Sequence, residues 1–250
     1  MRIGLIGGSG FEKNGSQKGI IWTTQWGHSS PIVVDKENPM GIDLVFCSRH
    51  GMEHTLPPTQ VNYRANIQVL KDLKCDVILA TTACGSLREE FKRGSIVIPD
   101  QFIDFTKNRK NTYVDYFHPN QMVHPPMGVP FNQGLRNHLI KECINMNCLE
   151  GYDFMARGTV VSIEGPRFST RAESNMYRIL GGDVINMTTA TECSLAFEMG
   201  IPYAAICLVT DYDSWKEEEE PVTHEDVMKV FGENVSKIKD LLTNVMKKLS

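Results

Sequence analysis

The sequence predicts an α/β fold in which helices flank one central mixed β-sheet. Two observations support this fold class: short apolar runs rich in β-branched residues recur along the chain, and amphipathic segments separate several of them. Such alternation is typical of a mixed or mostly parallel sheet covered by helices. The 250 residues contain no internal repeat and no linker rich in proline, glycine or serine, so we expect a single domain over residues 1–250.

The predicted strands are short apolar runs bounded by glycine, proline or aspartate. Runs of this length and composition are typical of strands that are buried on both faces of a sheet. They cover residues 3–6, 44–48, 77–82, 96–98, 159–163, 184–187 and 203–210.

The predicted helices show apolar i, i+4 spacing or a terminating residue. Two of them end at a glycine, Gly181 or Gly200, and the last and longest has Thr223 as a candidate N-cap. The stretch 106–130 shows neither pattern, and a long irregular segment of this kind is usually functional or lies at an interface. The helices are predicted over residues 60–74, 171–180, 192–199 and 225–249.

Composition excludes several classes of protein. The net charge of −4 does not suit a partner such as nucleic acid or an anionic membrane. The seven cysteines form no CxxC motif and no paired spacing, so we expect neither a structural zinc site nor a disulfide framework, and a cytoplasmic setting fits. We see no signal peptide and no apolar stretch long enough for a membrane span.

Three polar segments that follow apparent strands suit an anion. GGSG after the first strand offers backbone N–H groups and the hydroxyl of Ser9. Arg49 and His50 follow the second strand, where charge-assisted bonds can hold a phosphate. TTACGS contributes Thr82 among small residues. Each segment alone also fits a tight turn, a solvated loop or a serine- and threonine-rich cap.

Other strand ends suit an aromatic amine. Phe168 can stack on a purine, although a core position is the alternative. Asp211 and Asp213 are two residues apart, so extended geometry would turn both carboxylates to one side, whereas a surface turn would leave them solvated. Because α/β enzymes assemble pockets at strand ends, we expect one pocket with an anion half, which includes Thr188, and an aromatic-amine half.

Several long motifs are specific in combination and run nearly end to end: GLIGGSG, SRHGMEHTLPPTQVNYRANI, TTACGSLREE, GSIVIPDQFID, SIEGPRFSTRAES, DVINMTTATE and VTDYDSWKEEEE. Together they resemble the trimeric purine nucleoside phosphorylase family, in its 5′-methylthioadenosine phosphorylase branch. The resemblance implies a nucleoside phosphorylase fold. It also implies phosphorolysis of 5′-methylthioadenosine by inorganic phosphate to adenine and 5-methylthioribose 1-phosphate.

The resemblance also implies roles for individual residues. Asp211 would protonate the leaving base at N7, which requires a pKa raised by burial beside Asp213. His124 matches a histidine that reaches the 5′ end from a neighbouring subunit, which implies a homotrimer or a dimer of trimers. Phosphate would contact Ser9, Arg49, His50, Thr82, Ala83 and Thr188. Nucleoside would contact Phe168, Ser169, Asn186, Met187, Asp211, Asp213, His224, Val227 and His124.

Two positions depart from the family pattern. Thr191 precedes Glu192 where the family usually has proline, which is expected to affect a turn and no ligand. His224 replaces a small apolar residue near the methylthio group, so its imidazole either binds a 5′-hydroxyl or points to solvent. Strict 5′-methylthio selectivity is therefore an open question.

The expected chemistry needs no metal and no organic cofactor, since phosphate is a co-substrate. The partners are small molecules, with no nucleic acid and no membrane. Three alternatives stay open at this stage. They are a broader purine nucleoside phosphorylase acting on adenosine, inosine or guanosine, a nicotinamide-dependent oxidoreductase using GLIGGSG, and a non-catalytic nucleoside sensor.

Overall fold

The computed structural model describes residues 1–11, 18–36, 41–117, 122, 124–150, 153–219 and 223–249. The helices are α1 Tyr63–Asp72, α2 Gln133–Glu150, α3 Arg171–Ile179, α4 Thr189–Glu198 and α5 His224–Leu249. The strands are β1 Arg2–Gly7, β2 Thr23–Thr24, β3 Gly27–His28, β4 Ile32–Asp35, β5 Asp43–Ser48, β6 Val77–Ser86, β7 Ile96–Val97, β8 Gln101–Phe105, β9 Phe154–Met155, β10 Thr159–Ile163, β11 Val184–Asn186 and β12 Tyr203–Tyr212. Among the described helices, none combines the length and apolar character needed to span a bilayer.

The central sheet is mixed, as predicted, and has the order β4-β5-β1-β6-β11-β10-β8. β12 pairs in parallel with the other edge of β6, and β7 and β9 extend the sheet from there. β1 runs parallel to β5 and β6, whereas β11 runs antiparallel to β6. The sheet therefore consists of two sets of strands that point toward each other and share β6.

β6 brings the two sets together at its centre. β1 pairs with its first residues, up to Ala80, and β11 pairs on the same edge with Gly85 and Ser86. The carboxyl ends of β1 and β11 thus approach residues 81–84 from opposite directions. Ligands of open α/β sheets bind where strand ends diverge in this way, so the topology alone places a binding site over the middle of β6.

The helices cover the sheet on both faces. Alternate side chains of one strand enter different cores, as period-two geometry requires: Leu44 and Phe46 of β5 pack on the side of α2 and α5, and Val45 and Cys47 pack on the side of α1 and α4. The molecule is a three-layer α/β structure, which confirms the predicted fold class.

The predicted elements are confirmed with shifted boundaries, except at β6. The TTACGS segment was expected to follow the strand, but it is the second half of β6, which continues to Ser86 because β12 pairs with it throughout. α2 was not predicted, although Leu135, Leu139 and Cys143 have helical spacing and are buried. The described residues of 106–130 contain no helix or strand, as expected.

Candidate functional site

One cavity of about 490 Å³ lies over the middle of β6 and receives the ends of both sets of strands. Every predicted site residue lines it except His124. The cavity walls include Ser9, Arg49, His50, Thr82, Ala83, Phe168, Ser169, Asn186, Met187, Thr188, Asp211, Asp213, His224 and Val227. The structure therefore brings together segments that lie as far apart in sequence as Ser9 and Val227.

The turn after β1 closes tightly over the cavity floor. The backbone N–H of Gly8 donates to Oγ1 of Thr81 at 3.3 Å, and the N–H of Arg49 donates to the carbonyl of Gly7 at 3.1 Å. A Cβ at Gly8 would lie 2.6 Å from the Thr81 carbonyl oxygen and would overlap the Arg49 guanidinium. Only glycine permits this approach, so the glycine-rich turn packs against the arginine of the anion half.

Arg49 is 1% exposed, and its guanidinium donates three hydrogen bonds to two partners. Its Nη1 donates to the Thr81 carbonyl at 3.0 Å, its Nη2 donates to Oε2 of Glu192 at 2.9 Å, and its Nε donates to Oε1 of Glu192. Burial by itself would lower the pKa of Arg49, but the adjacent Glu192 carboxylate more than reverses that effect. Arg49 is therefore a fixed cation at the cavity floor.

Thr188 and the N-terminus of α4 complete the anion half. Thr188 is the N-cap of α4, yet its side chain makes no capping bond. Its Oγ1 is buried without a hydrogen-bond partner among the described residues. Since a buried hydroxyl without a partner is costly, and since helix N-termini favour anions, this position suits a bound oxyanion.

Thr191 does not disturb the start of α4. It lies in the first turn of the helix, where the family's proline would also be tolerated because that turn has no intrahelical acceptor for its N–H. The N–H of Glu192 donates to the Thr188 carbonyl at 3.2 Å, the first bond of the helix. The first turn of α4 therefore forms with threonine at this position.

Three histidines lie together at one end of the cavity. The rings of His50 and His54 are stacked with centroids 4.7 Å apart, and the ring of His224 lies 5.3 Å from that of His54. His50 Nδ1 lies 2.8 Å from the Leu56 carbonyl, which only accepts, so Nδ1 carries the hydrogen. His224 thus lines the cavity although its residue surface is largely exposed. His54 was not predicted, and no pattern around it distinguishes it from a loop residue.

The two aspartates are buried at the opposite end. Asp211 is 6% exposed and Asp213 is 4% exposed, so the alternative of solvated aspartates in a surface turn is wrong. A register shift in β12 between Val209 and Asp211 re-aims this segment toward the cavity. Asp211 accepts a hydrogen bond from the Thr210 hydroxyl at 2.7 Å, and Oδ2 of Asp213 is buried without a hydrogen-bond partner among the described residues.

Burial controls the protonation of both carboxyls. It raises the pKa of Asp211 to about 6; the Thr210 hydroxyl opposes this rise, and the charge of Asp213 adds to it. The pKa of Asp213 is also raised by burial, with the hydroxyls of Ser174 and Ser169 opposing the rise. An acid that titrates near pH 6 can carry a proton to a leaving group at a pH close to neutral.

Phe168 and Met187 form the apolar wall between the two ends. Phe168 is 38% exposed, so it is not a core residue. Arg109, which was not predicted, lies in the irregular 106–130 segment and links Met187 to Glu164. Its side chain donates to both the carboxylate and the carbonyl of Glu164 and to the carbonyl of Met187.

His124 lies outside this cavity. It is exposed and its ring packs against Phe117 at 5.4 Å. Its role at the site of a neighbouring subunit stays a prediction.

Comparison with known proteins agrees with this geometry. The family model of the phosphorylase superfamily matches residues 2–247. The S-methyl-5'-thioadenosine phosphorylase of Ciona intestinalis is 46% identical over 238 residues, which cover 93% of this chain and 83% of that protein. The enzyme of the same name from Danio rerio is 44% identical over 248 residues, 97% of this chain and 86% of that protein.

Solved structures resemble the fold over nearly its whole length. Methylthioadenosine phosphorylase from Schistosoma mansoni in complex with adenine superposes with a TM-score of 0.88 at 37% identity, covering 99% of this chain and 91% of that one. A mutant of adenosine/methylthioadenosine phosphorylase from the same organism, in complex with methylthioadenosine, superposes with a TM-score of 0.87 at 36% identity and the same coverage.

Proposed function

Because the chain belongs to the phosphorylase superfamily, we propose that it cleaves 5′-methylthioadenosine with inorganic phosphate, releasing adenine and 5-methylthioribose 1-phosphate. One observation carries the proposal: a single cavity holds a buried arginine at one end and two buried carboxyls at the other. The same cavity is lined by Thr188, whose hydroxyl has no hydrogen-bond partner in the described part of the chain. The similarity of the chain to S-methyl-5'-thioadenosine phosphorylases supports this choice of substrate.

The anion half is proposed to bind the attacking phosphate. The residues proposed to contact the phosphate all line the cavity: Ser9, Arg49, His50, Thr82, Ala83 and Thr188. Phosphate held there attacks the anomeric carbon while the glycosidic bond breaks, and its negative charge stabilises the oxocarbenium character of the sugar. Fixed donors supply proximity and electrostatic stabilisation without reorganisation during the reaction.

The base half is proposed to protonate and recognise adenine. Asp211, with its pKa of about 6, donates a proton to N7 as the bond to the sugar breaks. Asp213 lines the cavity with a buried carboxylate, one oxygen of which can accept from the exocyclic amino group of a 6-aminopurine. A 6-oxopurine offers no donor at that position, so this oxygen favours adenine.

The sugar and its 5′ substituent are assigned to the remaining wall. The residues of this wall that line the cavity are Phe168, Ser169, Asn186 and Met187. The buried Val227 offers an apolar surface to a methylthio group, and His224 offers a hydrogen-bonding group beside it.

His224 supports a second candidate function, a broader purine nucleoside phosphorylase that also accepts adenosine, inosine or guanosine. An imidazole that lines the 5′ end can bond a hydroxyl and so offset its desolvation. The Asp213 carboxylate favours adenosine among these three, because only adenosine carries a 6-amino group that can donate to it. A structurally similar protein is named adenosine/methylthioadenosine phosphorylase, which supports the same extension.

Assembly, cofactor use and location complete the proposal. We propose a homotrimer or a dimer of trimers in which His124 approaches a neighbouring site. We propose further that no metal or organic cofactor takes part, since phosphate and the two aspartates supply the nucleophile and the proton. A cytoplasmic location is supported by six of the cysteines, which are buried free thiols: Cys47, Cys75, Cys84, Cys143, Cys193 and Cys207.

A phosphate-dependent substrate panel with product identification tests the proposal. Methylthioadenosine is expected to be the best substrate, adenosine weaker and inosine weakest, with adenine and a pentose 1-phosphate as products. A preference for inosine contradicts the adenine assignment. If the protein binds nucleoside but releases no free base when phosphate is present, it is a non-catalytic sensor. Reduction or oxidation of a nicotinamide cofactor would identify an oxidoreductase, a reading that the family of this chain already disfavours.

A further inference from the structure

A buried carboxylate lies directly beneath the anion half of the cavity. Glu192 is 2% exposed and belongs to the first turns of α4, one turn after Thr188. It does not line the cavity itself. A carboxylate so close to a proposed phosphate is unexpected on charge alone, because like charges repel and a buried charge is costly.

Two residues, Arg49 and Tyr203, donate hydrogen bonds to Glu192. Arg49 donates to both carboxylate oxygens, through Nε to Oε1 and through Nη2 to Oε2 at 2.9 Å. The hydroxyl of Tyr203, on β12, donates to Oε2 at 2.9 Å. Tyr203 is 2% exposed, so both Glu192 and the tyrosine that bonds it are shielded from solvent. The carboxylate is therefore locked in one orientation.

This arrangement sets the direction of the guanidinium. A guanidinium has five N–H bonds, and three of them are used by Glu192 and the Thr81 carbonyl. A bidentate pair fixes the plane of an arginine as well as its position. The two remaining N–H bonds, one on each terminal nitrogen, are then held ready for an anion in the cavity.

We propose that Glu192 is a positioning residue for the phosphate co-substrate, acting through Arg49 with support from Tyr203. The inference rests on the proposed phosphorolysis and names how its anion site is aligned. Thr188 and Glu192 occupy the same helix, so α4 both contributes a hydroxyl to the site and orients the arginine opposite it.

The direction in which Glu192→Gln changes the KM for phosphate distinguishes a positioning role from a purely electrostatic one. Glu192→Gln removes a negative charge near the phosphate, and this alone would tighten phosphate binding. It also puts an amide N–H₂ against an arginine N–H, which turns the guanidinium away from its present plane. If Glu192 positions Arg49, the KM for phosphate therefore rises despite the more positive site.

The experiment compares Glu192→Gln, Tyr203→Phe and Arg49→Lys with a control, Glu142→Gln. Glu142 is 5% exposed and pairs with Lys248 between α2 and α5, away from the cavity. For each variant we would measure the KM for phosphate, the KM for methylthioadenosine, and the rise in Tm caused by inorganic phosphate.

We expect Glu192→Gln to raise the KM for phosphate about tenfold or more, the equivalent of one lost charge-assisted bond. The KM for nucleoside should change much less. Tyr203→Phe should shift the KM for phosphate in the same direction by a smaller factor, and it keeps the test informative if Glu192→Gln does not fold. In the Arg49→Lys background, Glu192→Gln should add little, because its effect passes through the arginine.

An unchanged or lowered KM for phosphate in Glu192→Gln or in Tyr203→Phe overturns the inference. An equal rise in the KM values for phosphate and for methylthioadenosine overturns it as well. The same holds if Glu192→Gln lowers the Tm only as much as Glu142→Gln does and keeps the full rise in Tm caused by phosphate. If Arg49→Lys itself leaves the phosphate dependence unchanged, the proposed phosphate site fails instead. The two failures are thus distinguishable.

Discussion

Replacing Asp211 by asparagine should stabilise the protein while it removes activity. The ordinary pKa of this side chain is 3.8, and burial raises it to about 6 in the folded chain. The folded state therefore binds a proton more tightly than the unfolded state does. Ionising Asp211 costs stability, and this cost grows as the pH rises from about 3.8 to about 6 and is complete above that range.

The size of the effect follows from the two pKa values. The rise in pKa from 3.8 to about 6 lowers the free energy of unfolding by about 3 kcal/mol at pH 8. At pH 5 it lowers the free energy of unfolding by about half of that amount. An asparagine never ionises, and its Oδ1 can still accept the bond from Thr210. Asp211→Asn should therefore gain up to about 3 kcal/mol at pH 8, or several degrees in Tm for a chain of this size.

The assay is urea unfolding of the native protein and Asp211→Asn at pH 5 and pH 8, together with initial rates. Turnover of 6-aminopurine nucleosides by the variant should fall about a hundredfold, the usual scale for a lost general acid. The native kcat/KM should fall by about tenfold for each pH unit above 6, because the protonated acid becomes scarce.

A stability difference that is the same at both pH values would refute the reasoning, since a buried carboxyl with an ordinary pKa carries no such pH dependence. Loss of stability in Asp211→Asn at pH 8 would refute it as well. Undiminished turnover with a stabilised variant would leave the burial argument intact and remove the proton-donor role.

Three further predictions concern the remaining parts of the cavity. Thr188→Val should raise the KM for phosphate about tenfold without loss of Tm, because the hydroxyl has no described partner to lose; a lower Tm with unchanged phosphate kinetics would show a structural role instead. His224→Val should lower kcat/KM for adenosine while sparing or improving methylthioadenosine, and equal effects on both substrates would exclude His224 from 5′ selectivity. Refolding a mixture of inactive His124→Ala and Asp211→Asn chains should restore part of the activity if subunits share sites. A native monomer by light scattering, fully active at high dilution, would contradict that assembly.

Much of the site could be located from the sequence because apolar runs in an α/β chain end in polar residues where a ligand binds. Arg49 directly follows one such run, and Asp211 and Asp213 show the spacing that turns two side chains to one face. The resemblance of whole motifs to one family added the roles. These signals are local, so they depend only on residues that are close in sequence.

The tertiary structure decided what depends on long-range pairing. The hydrophobic pattern of β11 does not show that it runs antiparallel to β6, yet that pairing brings Asn186 and Thr188 opposite the turn after β1. The bond between Arg49 and Glu192 joins residues 143 positions apart. Glutamate in a first helical turn is ordinary in any sequence, and only the closed packing of α4 against the sheet makes this one a buried partner of the arginine at the phosphate site.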